Sequence, residues 1–232
     1  MSDDLEALYP FLYSGTSDLT AVLDQVRAST VAKAAEIGDL RRAVAARDGA
    51  RIEACAREAA ARFAAGGRLF AFGNGGSATD AAQLATLFLA PDGGGGAPDR
   101  DTPPLPAFGL ANDTSVVTAL ANDVGAEVVF ARQLAAFARA GDIAVGLSTS
   151  GNSENLLRAF DEASRRGMLT IGLAGYDGGR MAELDSIDYL FVVPSSSVHR
   201  IQEAQTTTYQ VFWELTAQLT AEEMSHVPRH TR

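Results

Sequence analysis

The chain has 232 residues, 47% hydrophobic and 21% charged, with 29 acidic against 19 basic side chains and a formal net charge of -10. That length supports one sizeable α/β core, and that acidity argues against broad nucleic-acid binding, which works by neutralising phosphates. One cysteine, Cys55, and three histidines, His199, His226 and His230, exclude an intrachain disulfide and a cysteine-built zinc cluster, and set most zinc hydrolases and a Ser-His-Asp triad aside. No apolar run approaches the roughly 20 residues of a membrane span. The acidic start, Met1 to Glu6, has no signal-peptide core, so the expected compartment is the cytoplasm.

In chain order, residues 17–65 read as two helices. Leu19, Val22, Leu23 and Val26 recur at helical spacing and continue through Val31, Ala34 and Ile37. Asp48 or a neighbour is expected to open the second helix, which carries Ile52, Cys55, Ala59 and Phe63 and stops at Gly66-Gly67. Together they predict a helical hairpin, residues 1–66, packed on a core spanning residues 67–224.

The period then changes. Residues 68–72, 104–110, 143–147, 169–173 and 188–193 read as short apolar strands, alternating with helices over 78–89, 113–121, 128–140, 153–166 and 199–224. This alternation predicts a five-stranded parallel sheet in a three-layer αβα sandwich, a single structural domain. Residues 91–106 form a Gly/Pro-rich, low-complexity loop, and residues 225–232 are expected to be a flexible tail.

Two strand-to-helix turns carry special chemistry, and parallel α/β sheets bind ligands at that edge. The first is Gly73-Asn74-Gly75-Gly76-Ser77. It fits G-x-G-x-x-A through Ala78, but no acid stands about 20 positions on, which argues against a dinucleotide. The second is Ser148-Thr149-Ser150-Gly151-Asn152-Ser153, four hydroxyls, a glycine and an amide where a helix begins. Free N–H groups and the positive helix end favour an anion there without any Lys or Arg.

These residues are recognisable together. Gly73 to Ala78 with Asp80 resembles the first loop of the SIS (sugar isomerase) domain family. Leu110 to Ser115, Ala121 to Asp123 and Phe130 to Arg132 resemble its phosphoheptose isomerase branch, as do Ser148 to Ser153 and Arg200 to Glu203. The resemblance implies a Rossmann-like sandwich, a cytoplasmic homotetramer with sites between subunits, and a phosphorylated sugar as ligand, sedoheptulose 7-phosphate foremost. It implies that Ser148, Thr149, Ser150 and Ser153 hold phosphate, that Asn74, Gly75 and Ser77 contact the sugar, and that Gln202 lines the site.

The branch also carries a zinc ion, and there the chain departs from it. The branch's His and Glu on the helix after the first loop fall at Gln83 and Leu87. Its last-helix His falls at Gln210, so of four metal positions only Gln202 matches. No cofactor and no metal ligand is therefore expected. Neutral side chains at three positions cannot replace two imidazoles and a carboxylate as ligands or proton carriers. The acid–base candidates left are Glu203, His199, Asp113 and Asp123, with Asp80 also near. Two functions remain open: an aldose–ketose isomerase with a rebuilt proton relay, or a non-catalytic SIS protein that senses a sugar phosphate or docks a partner such as a replication initiator.

Overall fold

The computed structural model describes residues 19–90 and 104–226. Five strands form one sheet: β1 Leu69–Gly73, β2 Ala107–Gly109, β3 Ile143–Leu147, β4 Leu169–Gly175 and β5 Tyr189–Val193. All pairings are parallel and the order is β2-β1-β3-β4-β5. The helices are α1 Leu19–Ala64, α2 Gly76–Leu89, α3 Thr114–Asp123, α4 Val129–Phe137, α5 Glu154–Arg165 and α6 Val198–His226, with short 3-10 turns at Ala126–Val128 and Gly179–Glu183. The expected sandwich and all five expected strands are present.

The sheet is buried on both faces because successive strand residues point to opposite sides. Leu69 and Ala71 of β1 join Val145, Ile171 and Leu173 in a core closed by Phe63, Phe88, Phe212 and Trp213. Phe70 and Phe72 turn to the other face, where Phe130, Leu134, Leu156 and Phe160 close a second core. Rings interlock on each side, with Phe88–Phe212 centroids 6.1 Å apart and Phe72–Phe160 5.4 Å apart.

The expected hairpin is corrected: Leu19 to Ala64 is one uninterrupted helix of 46 residues. Asp48 does not cap a second helix. It is 1% exposed within α1, and its carboxylate pairs with Arg47 and, at 3.1 Å, with Arg51. Gly38 and Gly49 each cost roughly 1 kcal/mol against alanine in a helix, and the surrounding Ala and Arg residues are strong helix formers that carry the helix through.

The chain divides into two compact units between Asp39 and Leu40. In the first, α1 residues 19–39 are described. In the second, Ile52, Cys55, Ala56, Ala59 and Phe63 of α1 belong to the core itself. Cys55 is fully buried, and burial pushes its thiol well above the usual range, so it serves as a small core side chain. α6 continues to His226, two residues beyond the expected end; residues 227–232 of the predicted tail and 91–103 of the Gly/Pro loop lie outside the described residues.

Candidate phosphate and sugar site

β1 and β3 are neighbours with Gly73 in register with Leu147, so the two special loops leave the sheet side by side. The chain returns from β2 on one side of β1 to β3 on the other, the reversal of strand order that opens a crevice at the carboxyl edge.

The second loop folds back on itself. Gly151 N–H donates to Ser148 Oγ at 3.0 Å, and Asn152 N–H donates to Ser150 Oγ at 3.3 Å. Ser148 and Ser153 hydroxyls stand 3.5 Å apart. Ser153 occupies the N-cap of α5, yet its side chain makes no capping hydrogen bond. Its hydroxyl is thus not consumed by the helix, which separates this loop from an ordinary serine cap. Thr149, Ser150 and Ser153 are half-buried and Ser148 is buried, so the hydroxyls line the N-terminal end of α5, where unsatisfied N–H groups favour an anion. Glu154 opens that helix, and its charge is balanced by Arg158 at 3.0 Å and Arg180 at 2.8 Å, which hold its carboxyl below the usual range.

In the first loop, Gly75 has φ +55 and Ser77 is buried. Gly73 is required by close approach, since a Cβ there would lie 2.6 Å from the Ser77 carbonyl oxygen. Asn74 and Asn155 exchange two amide hydrogen bonds, each 2.9 Å, tying the first loop to the helix that follows the second. Gln202 of α6 reaches over the first loop: its side-chain amide fills the space a Cβ on Gly76 would need. The predicted residues Asn74, Gly75, Ser77, Ser148, Thr149, Ser150, Ser153 and Gln202 therefore gather at one sheet edge.

The predicted acid–base residues have these surroundings. Glu203 accepts a hydrogen bond from Arg200 at 3.3 Å, and its carbonyl accepts from Arg41 of α1 at 3.4 Å, on a different flank of α6 from Gln202. His199 is exposed in the first turn of α6. Asp113 caps α3, accepting from Val116 N–H at 3.1 Å, and opens onto a separate cavity of about 320 Å³ lined by Arg68, Phe70, Phe108 and Gln133. Asp123 ends α3 and accepts from Asn122 at 2.7 Å. Gln83 and Gln210 are exposed, and Leu87 is buried in the core. Among the described residues, no three of His, Cys, Asp and Glu are grouped to hold a metal ion.

Three contributors escape sequence reading. The turn after β4 buttresses the second loop: Met181 N–H donates to Gly151 O at 3.0 Å, and Arg180 N–H donates to Asn152 Oδ1 at 3.0 Å. Tyr176, which begins this turn, sits at φ 54, a conformation unfavourable to a bulky side chain. Gln205, fully buried on α6, donates from Nε2 to the Ser148 carbonyl at 3.3 Å, while its Oε1 has no partner. Tyr209, one turn further, is buried on α6, and burial pushes its hydroxyl above the usual range. Helical spacing from Gln202 could have flagged Gln205 and Tyr209; nothing in a Tyr-Asp-Gly-Gly turn marks it as more than a turn.

Comparison with known proteins converges on one group. The model of the SIS domain matches residues 34–175. A phosphoheptose isomerase of Aquifex aeolicus is 41% identical over 157 residues, covering 68% of this chain and 78% of that protein. One from Desulfovibrio desulfuricans is 45% identical over 186 residues, covering 74% and 83%. Among solved structures, the phosphoheptose isomerase of Neisseria gonorrhoeae superposes with TM-score 0.73 at 32% identity, over 83% of this chain and 99% of that one.

Proposed function

Since the chain belongs to the SIS-domain family and is phosphoheptose isomerase-like within it, we propose that it interconverts a phosphorylated ketose and aldose, sedoheptulose 7-phosphate foremost, without zinc. The observation that carries this reading is the crevice between β1 and β3, where a hydroxyl-lined helix N-terminus faces a glycine loop roofed by Gln202.

The phosphate sits at Ser148 to Ser153, held by hydroxyls and backbone N–H groups, and the sugar runs toward Asn74, Ser77 and Gln202. Anchoring the phosphate fixes the distance of the reacting carbons from the loop, so binding energy remote from the chemistry orients it. The residues at the branch's metal positions are Gln83, Leu87, Gln202 and Gln210. Three neutral amides and a core leucine do not fit a zinc ion, which takes imidazole, thiolate or carboxylate ligands. The working protein is a cytoplasmic homotetramer in this reading, as its resemblance implies.

A second reading has one observation in its favour: the neutral side chains at 83, 87 and 210 supply no proton carrier, as in a sugar-phosphate sensor or partner-docking SIS protein. A coupled assay with sedoheptulose 7-phosphate, with added zinc and with chelator, separates the two. Turnover unchanged by either addition is the expected result. Measurable binding without turnover would overturn the isomerase reading and leave the sensor.

A further inference from the structure

We propose that Asn155 is the positioning residue of the sugar subsite: its side chain clasps Asn74, so the helix that receives the phosphate also orients the amide that meets the sugar. This role rests on the phosphate and sugar site proposed above and deepens it. It concerns binding alone, so it holds for an isomerase and for a sensor alike.

Asn155 is the second residue of α5. Its backbone N–H and that of Glu154 open the helix, where no carbonyl of the helix can meet them. Its main chain therefore belongs to the anion end of the crevice, while its side chain serves the other loop. Asn155 Nδ2 donates to Asn74 Oδ1 at 2.9 Å, and Asn74 Nδ2 donates to Asn155 Oδ1 at 2.9 Å. The two residues stand 81 positions apart in the chain. Asn74 follows directly on β1, and Asn155 lies just past the loop after β3, so the clasp bridges two neighbouring strand ends. Asn152, the amide within the serine loop, is used differently: it donates to the Ser150 carbonyl at 3.0 Å and accepts from Arg180 N–H at 3.0 Å.

A closed amide pair fixes orientation as well as position. If one amide alone turned over, oxygen would face oxygen and nitrogen would face nitrogen, and both bonds would be lost. The main chain of Asn74 is already held, because its carbonyl accepts from Ser77 N–H at 3.0 Å. Asn155 thus removes the freedom that is left, rotation of the Asn74 side chain.

The clasp leaves Asn74 able to bind. Among the described residues its amide has no side-chain partner but Asn155, so it keeps one N–H and one oxygen lone pair in a fixed plane. Asn74 is exposed, and the space at the next residue is open, since a Cβ on Gly75 would meet nothing within 4 Å. A donor beside an acceptor matches a sugar hydroxyl, which both donates and accepts. The ligand class favoured is a phosphate ester of a polyhydroxylated chain over phosphate itself. Ordering a free side chain on binding costs a factor of roughly 2–12 in Kd, and the clasp removes that cost beforehand.

The test measures Kd by calorimetry for the wild type, Asn155→Ala, Asn74→Ala and the double variant, with sedoheptulose 7-phosphate and inorganic phosphate as probes. Asn155→Ala is expected to weaken the sugar phosphate about three- to tenfold and inorganic phosphate by less than about twofold. The double variant is expected to match Asn74→Ala within about twofold for the sugar phosphate, because Asn155 acts through Asn74. Alanine is a strong helix former, so Asn155→Ala should keep the parent's Tm.

Equal losses for the two probes, or an unchanged Kd for the sugar phosphate, overturn the role of Asn155 and leave the phosphate site standing. Losses that multiply in the double variant overturn its action through Asn74. A wild-type protein that fails to bind inorganic phosphate, directly or in competition with the sugar phosphate, overturns the phosphate site and the proposal with it.

Discussion

Gly151→Ala puts the second loop to its most direct test. Gly151 has φ +67, and a Cβ there would overlap the Gly178 carbonyl oxygen and lie 2.6 Å from its carbon. Both neighbours are backbone, so no side chain can swing away. The left-handed conformation alone costs an alanine roughly 1–2 kcal/mol. Relieving the overlap must separate the loop from the turn after β4, which breaks Met181 N–H to Gly151 O at 3.0 Å and strains Gly151 N–H to Ser148 Oγ at 3.0 Å. Each lost bond costs about 1 kcal/mol. The total is about 2–3 kcal/mol, a fall in Tm of roughly 4–12 °C for a chain of this size. The displaced hydroxyls should also raise the Kd for sedoheptulose 7-phosphate by more than about tenfold. Differential scanning fluorimetry and calorimetry read the two effects. A variant with the parent's Tm and Kd would refute the argument that this turn shapes the loop.

Ser153→Ala should behave in the opposite way. Because that hydroxyl does not cap α5, stability should change by less than about 0.5 kcal/mol, while loss of one hydrogen bond to a charged phosphate should weaken binding about tenfold; a Tm loss with unchanged Kd would show an ordinary cap instead. Asp142→Asn should destabilise without touching the site. That fully buried carboxylate accepts from Arg68 N–H at 2.9 Å, from the Arg68 guanidinium at 2.7 Å and from Arg139 N–H at 3.0 Å, so replacing it weakens charge-assisted bonds to a half-buried guanidinium and two N–H groups, at a cost of about 2–3 kcal/mol. Urea titration reads the loss, and an unchanged midpoint would refute it.

The strands and both loops were legible because they rest on local signals: apolar runs of strand length, and glycines or hydroxyls at the strand-to-helix turns. The helical hairpin was misread for a physical reason. Asp48 looks like a cap from its neighbours in sequence, and only the burial of its carboxylate between Arg47 and Arg51 shows it to be an interior helix residue. The sugar-facing role of Gln202 followed from motif resemblance. Glu203, its neighbour, could not be assigned to a side of α6 until the positions of Arg200 and Arg41 were known. Gln205 falls on the face of α6 that helical spacing from Gln202 marks, but its partner, Ser148, lies 57 positions away along the chain (205 − 148). Such pairings arise from tertiary packing and leave no local trace.

That separation also sets the order in which the site comes into being during translation. Both loops and all five strands are made by Val193, before any residue of α6 exists. A nascent chain halted there would lack the amide over Gly76, the buried support beneath Ser148 and the aromatic side chains that close one face of the sheet. Docking of the last helix therefore closes one face of the sheet with Phe212 and Trp213 and completes the site in the same event, so damage to α6 should cost stability and binding together.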